Sequence, residues 1–324
     1  MKGKEKGLAY RDIKKGWKEI RRIENQIRDD ILDKAQVVCC TCIGSGNEIL
    51  DGRRFPQVLI DEATQATEPA SLVALTRGAR QVVLVGDHKQ LPPTVISFRA
   101  EEKGLKRSLF ERLVDLGIEP LLLSTQYRMH PAISKFPNQH FYSDRLDDGI
   151  KSENRLAPAG LLWPDWDNPV AFVPVDGGEV VSPDGTSREN PAEVSWVIKI
   201  LNDILEAGEI TKKDIGIITP YAGQVRAIRN SMSEKLDDVE VKTVDGYQGR
   251  EKEVIIFSCV RSNTEQNIGF LSEMRRLNVA LTRAKRGLIV IGDPATLRSD
   301  KNWRAWLEYV RDSKFEAWHL LGMN

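Results

Sequence analysis

The sequence predicts an α/β protein built from two doubly wound units with parallel sheets. Short apolar runs alternate with amphipathic helical stretches along the 324 residues. The runs are almost uniformly apolar, which is typical of parallel strands covered on both faces. Several of them end in carboxylates, amides or tight glycine turns, and α/β sheets bind their ligands at strand ends. Together these observations indicate that the protein is an α/β enzyme with a ligand-binding site at its strand ends.

Length and charge exclude few functions. The chain is long enough for two domains of ordinary size. Its 47 basic and 47 acidic residues cancel, but a nucleic-acid groove depends on locally clustered Lys and Arg, so a polyanionic partner is not excluded. There is no apolar run of about 18 residues, which argues against a membrane span. The charged start of the chain argues against secretion, so we expect a cytoplasmic or nuclear protein.

The first predicted element is an amphipathic helix over residues 10–34. Its apolar residues recur at steps of three and four: Ile13, Trp17, Ile20, Ile23, Ile27 and Ile31. Such a stripe needs a partner, and we interpret the segment as a packing helix.

Apolar runs predict the strands that follow. In the first unit they lie at 36–41, 58–61, 82–86 and 120–124; in the second they lie at 170–175, 215–219, 239–244, 254–259 and 287–292. Helices are predicted at 191–207, 221–236 and 273–284, and 148–190 is expected to be irregular in part. We therefore expect a stalk-like helical segment over 1–34, a first domain over 35–125 and a second over 126–324.

Three cysteines, Cys39, Cys40 and Cys42, stand close together. A paired second cluster at zinc spacing is missing from the sequence, so we do not expect a metal site there. We expect these residues to open a buried strand, where Cys behaves as a small hydrophobe. Four cysteines in all fit a reducing compartment.

Asp61 and Glu62 end the apolar run that begins at Val58. In a nucleotide hydrolase such an Asp holds Mg²⁺ and the Glu orients the attacking water. The alternative is that Asp61 caps the following helix. Gln90 follows the next run, where an amide can contact a terminal phosphate and the attacking water.

The tripeptide Gln126, Tyr127 and Arg128 stands where the two predicted domains meet. Tyr127 offers a ring for an adenine and Arg128 offers a fork for phosphate oxygens. A buried tyrosine beside a salt-bridged arginine is the structural alternative. Pro220 and Tyr221 follow another run, and Tyr221 is a candidate for contact with a base or a phosphodiester.

Two segments near the C-terminus carry the most information. Within residues 243–251, Gln248, Gly249, Arg250 and Glu251 follow a β-rich run. Arg283 stands at the end of a predicted helix, just before the next apolar run. An arginine that reaches a terminal phosphate stabilises the charge that develops in phosphoryl transfer.

The order and wording of these motifs resemble superfamily-one helicases of the up-frameshift and senataxin type, over residues 35–310. The segments around Asp61 and Gly269 resemble the RNA helicases of nonsense-mediated decay most. The resemblance implies two RecA-like domains, the first incomplete, that use ATP and Mg²⁺ to move along single-stranded RNA or DNA. RNA is favoured.

The resemblance also assigns roles. Asp61 and Glu62 would form the metal-binding and water-activating pair, with Asp61 contacting Mg²⁺ through water. Gln90 would sense the γ-phosphate, Arg128 would touch the phosphates, and Arg283 would be the arginine finger.

For the remaining positions the resemblance implies binding roles. Tyr127 would stack near the adenine, while Gly249 and Glu251 would lie beside the nucleotide, Glu251 near the ribose. The positions that would line the nucleic-acid track are Cys42, Gly46, Pro220, Tyr221 and Thr243.

A phosphate-binding loop of the form G-x-x-x-x-G-K-[ST] is absent from the sequence, whose only Gly-Lys pair is Gly3 and Lys4. We therefore expect negligible ATP turnover by this chain alone. Three interpretations stay open: a truncated helicase, a non-catalytic nucleic-acid- or protein-binding remnant, and a chain completed in trans by the missing N-terminal part or by protein cofactors.

Overall fold

The computed structural model describes residues 3–321 and divides into two compact units. The chain up to Ile60, together with Glu68–Val83, forms the first unit; Asp61–Thr67 and the chain from Leu84 onward form the second. The α-helices are α1 (Gly3–Lys34), α2 (Glu68–Leu75), α3 (Phe98–Glu102), α4 (Leu109–Asp115), α5 (Pro131–Tyr142), α6 (Pro191–Glu206), α7 (Ala222–Ser231), α8 (Met274–Leu281), α9 (Pro294–Leu297) and α10 (Lys301–Asp312). The strands are β1 (Gln57–Ile60), β2 (Gln81–Leu84), β3 (Thr125–Gln126), β4 (Asp147–Asp148), β5 (Val170–Pro174), β6 (Val180–Val181), β7 (Arg188–Glu189), β8 (Ile215–Thr219), β9 (Glu240–Thr243), β10 (Lys252–Ser258) and β11 (Ala284–Gly292).

The first unit combines the long helix α1 with a two-stranded sheet of β1 and β2. Helix α1 begins at Gly3, earlier than predicted. Its apolar stripe is exposed, with Trp17 at 60% and Ile31 at 63%. The last turns are held by Arg53, whose Nη2 lies 2.9 Å from Asp33 Oδ1 and 3.3 Å from Asp29 Oδ1.

Two predicted strands, 36–41 and 120–124, are wrong. Both segments lie within the described residues and form no strand there. An extended segment becomes a strand only when a neighbour takes its backbone hydrogen bonds. Among residues 3–321 no strand pairs with 36–41, and in 120–124 it is the carbonyl of Ser124, next to β3, that accepts such a bond, from the backbone N–H of Asp147. The cysteines are also not buried as expected: Cys39 and Cys40 are exposed.

The second unit is built around a five-stranded sheet in the order β5-β11-β10-β8-β9. Every neighbouring pair is parallel; Phe257 of β10, for example, pairs with Val290 of β11 and with Ile218 of β8. The predicted α/β class with a parallel sheet is confirmed.

Alternate side chains of the central strands enter different cores, which explains their uniformly apolar sequences. Ile255 and Phe257 of β10 join one core together with Trp303 and Trp306 of α10. Val254 and Ile256 join the other, against residues of α6 such as Leu201. Helices therefore cover both faces of the sheet.

Helix α8 ends at Leu281, whereas the sequence predicted a helix to 284. Thr282 is the C-cap, and Ala284 already pairs with Lys252 as the first residue of β11. Arg283 therefore lies in the two-residue link between helix and strand, not on the helix. No helix within residues 3–321 has the length and apolarity to cross a lipid bilayer.

Candidate functional site

Arg283 is buried, with 2% of its surface exposed, and it contacts Gln90. Its Nη2 donates to Gln90 Oε1 at 3.2 Å and to Thr282 Oγ1 at 2.8 Å, and its Nε donates to the carbonyl of Val279 at 3.0 Å. All three acceptors are neutral. Burial, and then the positive charge of Arg128, lower the pKa of Arg283 to about 10.

At neutral pH Arg283 therefore stays charged without a paired anion. The ion pairs found among residues 3–321 do not include Arg283. A buried cation without an opposite charge is costly, so the site is electrostatically suited to an anionic group.

A hydrogen-bonded chain extends from Gln90 to helix α8. Gln90 Nε2 donates to Asp87 Oδ2 at 2.9 Å, and Tyr142 Oη donates to the same oxygen at 2.6 Å. Asn278 Nδ2 in turn donates to Tyr142 Oη at 2.8 Å and to the carbonyl of Lys89 at 3.0 Å. Burial and the Asp87 carboxylate raise the pKa of Tyr142, so its hydroxyl stays a donor.

The sequence predicted only part of this series of hydrogen bonds. Asp87 belongs to a segment that the sequence marked, since it follows an apolar run. Tyr142 and Asn278 carry no such signal, because their role depends on contacts across 55 and 136 residues.

Asp61 and Glu62 form an exposed turn directly after β1. Glu62 has a left-handed φ of 51°, and its backbone N–H donates to Asp61 Oδ1 at 2.9 Å. Gln65 Nε2 donates to Glu62 Oε2 at 2.6 Å. The following helix is a single 3-10 turn whose N-cap is Glu62, so the capping alternative for Asp61 is not what the structure shows.

Among the described residues, groups of three or more His, Cys, Asp or Glu side chains suited to a metal are absent. The described residues therefore do not form a metal site made of protein ligands alone. Mg²⁺ bound with a nucleotide needs only one or two carboxylates, since phosphates and water complete the shell. Asp61 and Glu62 fit that smaller requirement.

Arg128 is tied to Glu251. Its Nε lies 2.6 Å from Glu251 Oε2, and its Nη1 donates to the carbonyl of Thr282 at 3.1 Å. Lys285 Nζ lies 3.0 Å from Glu251 Oε1. Burial opposes the change, but hydrogen bonds from Lys285 and Arg128 lower the pKa of Glu251, which is therefore a carboxylate at neutral pH.

Tyr127 presents its ring to solvent, with 67% exposed. A Cβ at Gly149 would overlap the Tyr127 ring, so glycine allows the backbone to support it. Gly249 has a φ of 72°, which turns the chain before Glu251. An exposed, supported ring is suited to stacking.

The candidate residues of the five-stranded sheet separate onto its two edges. Glu251 and Arg283 precede β10 and β11, at the amino edge, whereas Tyr221 and Thr243 stand at the ends of β8 and β9, at the carboxyl edge. The sequence predicted that both sets lie at strand ends, but it did not show that they lie at opposite edges of the sheet. Helix α8, roughly 12 Å long for its eight residues, follows β10 and precedes β11, so it runs from the carboxyl edge back toward the amino edge.

Tyr221, unlike Tyr127, is buried at 5% exposure. Its hydroxyl accepts hydrogen bonds from Arg261 Nη1 and from the backbone N–H of Phe270, both at 3.2 Å. Cys42 and Gly46 belong to the first unit, where the Cys42 carbonyl accepts from Ser45 Oγ and a Cβ at Gly46 would come within 2.9 Å of Val73 Cγ1.

Comparison with known proteins identifies the family. A family model described as an AAA domain matches residues 105–295, more than half of the chain, and a second AAA domain model matches 2–98. The chain is 46% identical to the regulator of nonsense transcripts 1 homolog of Neurospora crassa, over 92% of this chain and 28% of that protein. It is 44% identical to the ATP-dependent helicase NAM7 of Saccharomyces cerevisiae, over 94% of this chain and 32% of that protein.

An arterivirus nonstructural protein 10 (helicase) structure also matches, at 16% identity and a TM-score of 0.41, over 78% of this chain and 42% of that chain. The chain belongs to the AAA domain family of helicases and, within it, to superfamily-one members of the up-frameshift type. The resemblance seen in the sequence is thereby confirmed. The chain spans about a third or less of the curated relatives named above.

Proposed function

We propose that this chain is a module of an ATP-dependent helicase or translocase that moves along single-stranded nucleic acid, RNA in preference to DNA. The observation that carries the proposal is the buried, unpaired guanidinium of Arg283 beside Gln90. Relatives named as a regulator of nonsense transcripts and as an ATP-dependent helicase support it.

ATP with Mg²⁺ is the cofactor that these residues would hold. Asp61 would contact the metal through water, and Glu62 would orient the attacking water. Arg128 and Arg283 would bind phosphate oxygens, while Gln90 would respond to the terminal phosphate. Bound Mg²⁺ would supply charge that offsets the phosphate oxygens.

The rest of the nucleotide would meet the amino edge. Tyr127 would stack on the adenine with its exposed ring, and Glu251, turned by Gly249, would accept a hydrogen bond from the ribose. Arg128 is already held by Glu251 at 2.6 Å, so the ribose-binding and phosphate-binding groups would be positioned as a pair.

A single strand would lie along the carboxyl edge. Pro220, Tyr221 and Thr243 would line this track. Within the first unit, Cys42 and Gly46 would be the residues that contact nucleic acid. We further propose a boundary between the two helicase domains near residue 125, an N-terminal stalk over 1–34, and action in the cytoplasm or the nucleus.

Turnover by this chain alone is expected to be negligible, because the sequence contains no G-x-x-x-x-G-K-[ST] loop and phosphate positioning supplies most of the catalysis in this chemistry. The same observation favours the second candidate, a non-catalytic nucleic-acid- or protein-binding remnant. Either could be completed in trans by a segment that carries the missing loop or by protein cofactors.

The deciding experiment measures the affinity of the purified chain for single-stranded RNA with and without Mg-ATP, alongside ATP hydrolysis. A helicase module changes its strand affinity several-fold with ATP, since two linked sites share a coupling free energy, and Arg283→Ala abolishes the change. Strand binding that weakens with salt but ignores ATP would support the remnant instead. Robust hydrolysis that Glu62→Gln removes would refute the expected lack of turnover.

A further inference from the structure

An aromatic ring, Phe270, is exposed at the carboxyl edge of the second unit. It lies in the connection between β10 and α8 and exposes 57% of its surface, although its neighbour Leu271 is buried at 3%. The Trp303 Nε1 donates to the Leu271 carbonyl at 2.9 Å and fixes the connection there. Phe270 is therefore exposed on an anchored segment.

Tyr221 supports this ring from below. The two ring centroids are 5.4 Å apart, and the backbone N–H of Phe270 donates to Tyr221 Oη at 3.2 Å. Gly269 has a φ of 55°, and a Cβ there would overlap Arg261 and Tyr221. Only glycine fits this close approach, so the ring is held in one position before any ligand binds, which lowers the entropy cost of binding.

A cation flanks the ring. The Arg276 Cζ lies 5.3 Å from the Phe270 ring centroid, and the Arg276 side chain keeps 26% of its surface exposed. Its Nε is 3.3 Å from Asp245 Oδ2, just after β9. Phe270 thus contacts Tyr221, two residues after the end of β8, and Arg276 contacts Asp245, two residues after Thr243 ends β9.

We propose that Phe270, supported by Tyr221 and flanked by Arg276, stacks on one nucleobase of a bound single strand while Arg276 contacts the adjoining phosphate. The proposal rests on the proposed strand-binding function and adds to it a base-contacting residue. An aromatic face beside a guanidinium is the combination that sequence-tolerant single-strand sites use.

A nucleobase fits the surface better than a protein partner does. A stable protein interface buries about 800 Å² on each side, whereas this feature is one ring bordered by a charge. A nucleotide can use both groups at once, with its flat base on the Phe270 ring and its phosphate on the Arg276 guanidinium.

The test is binding of the purified chain to a short fluorescein-labelled oligouridylate, measured by anisotropy, in parallel with a strand of equal length whose bases have been removed. Phe270→Ala should weaken binding of the oligouridylate by about 5- to 100-fold, which corresponds to the loss of one stacked base. It should leave the abasic strand unchanged, and Phe270→Trp should restore the affinity.

Phe98→Ala serves as the matched control, because Phe98 is also exposed, at 73%, but lies in α3. It should change neither affinity. Equally weakened binding of both strands by Phe270→Ala would assign the ring a structural role and overturn the proposal. Unchanged binding of both strands would also overturn it and would favour a protein partner for the ring. Failure of the wild-type chain to bind any strand would overturn the proposed function as well.

Discussion

Nη2 of Arg283 donates a hydrogen bond to Oε1 of Gln90, 3.2 Å away, across 193 residues of sequence. The two side chains follow different elements: Gln90 lies in the loop after β2, and Arg283 lies between α8 and β11. Gln90 Oε1 is a neutral acceptor, so the buried cation has no directly paired anion among the described residues. Displacing this amide in favour of a phosphate would be electrostatically favourable.

The first prediction concerns the stability of an Arg283→Met variant. A buried guanidinium with only neutral partners carries a desolvation cost that offsets its hydrogen bonds. The variant should therefore keep its free energy of unfolding within about 1 kcal/mol of the wild-type value. Urea denaturation measures this difference.

Leu281→Ala, a truncation at a neighbouring buried position, should cost about 2–5 kcal/mol. A loss from Arg283→Met as large as that of Leu281→Ala would mean that the guanidinium is a structural anchor rather than a group held ready for an anion.

Two buried tyrosines give a second prediction with opposite signs. Tyr247 is fully buried, and its hydroxyl has no hydrogen-bond partner among the described residues. Tyr247→Phe removes an unsatisfied polar group and should raise the free energy of unfolding by about 1 kcal/mol. Tyr142→Phe removes bonds to Asp87 and Asn278 and should lower it by about 1–2 kcal/mol.

Denaturant unfolding of both variants, at constant slope against denaturant, tests the pair. If both substitutions destabilised the chain, the Tyr247 hydroxyl would have a partner, such as an ordered water. A neutral Tyr142→Phe would contradict the chain of hydrogen bonds that joins Gln90 to α8.

How much of this fold could be read from the sequence depended on the kind of contact involved. Strands β8, β10 and β11 were predictable because their buried positions need apolar residues on both faces, and the sequence records that directly. The runs at 36–41 and 120–124 have the same composition, but whether they are strands depends on a neighbour that local sequence does not specify. Side-chain pairs such as Tyr142 with Asp87 also cannot be predicted from the local sequence.

The candidate site was predictable in its residues and not in its arrangement. Glu62, Gln90, Arg128 and Arg283 stand in segments that the sequence marked. Their separation from Thr243 onto opposite edges of the sheet follows from which end of each strand they flank, and it appears only once the parallel order of the sheet is known.

A third prediction concerns cysteine reactivity. Cys39 and Cys40 are exposed, burial raises the pKa of Cys42, and burial raises the pKa of Cys259 well above its ordinary value. Thiolates react and thiols do not. A maleimide should therefore label Cys39 and Cys40 first, Cys42 more slowly, and Cys259 only in denaturant.

Peptide mass spectrometry after timed labelling gives the order. Cys259→Ala, which removes the buried thiol, should leave the native labelling count unchanged. Protection of Cys39 and Cys40 in the native chain would restore the buried strand that the sequence predicted there.

The fourth prediction concerns pH and a buried carboxyl group, Glu193, in α6. It is fully buried and accepts hydrogen bonds from Ser258 Oγ at 2.6 Å and from the backbone N–H of Val260 at 2.9 Å. Val260 has a φ of 73°, rare for a β-branched residue, so this carboxyl helps to fix a strained turn. Burial raises the pKa of Glu193 to about 8 despite these hydrogen bonds.

Between its ordinary pKa of 4.5 and about 8, the unfolded chain has ionised at this position while the folded chain keeps the proton. The unfolded state then binds fewer protons, so the free energy of unfolding falls as pH rises through this window and levels off above it. Glu193→Gln lacks the group that titrates. Its stability relative to the wild-type chain should therefore improve steadily from pH 5 to pH 8, by on the order of a few kcal/mol.

Urea denaturation of both proteins at several pH values across this window measures the difference, with Glu265→Gln, on an exposed loop, as a control for the loss of one carboxylate. A difference between Glu193→Gln and wild type that stays constant with pH would mean that Glu193 is already ionised in the folded chain. In that case the carboxylate would stabilise the Val260 turn as an anion, and replacing it with an amide would weaken the turn equally at every pH.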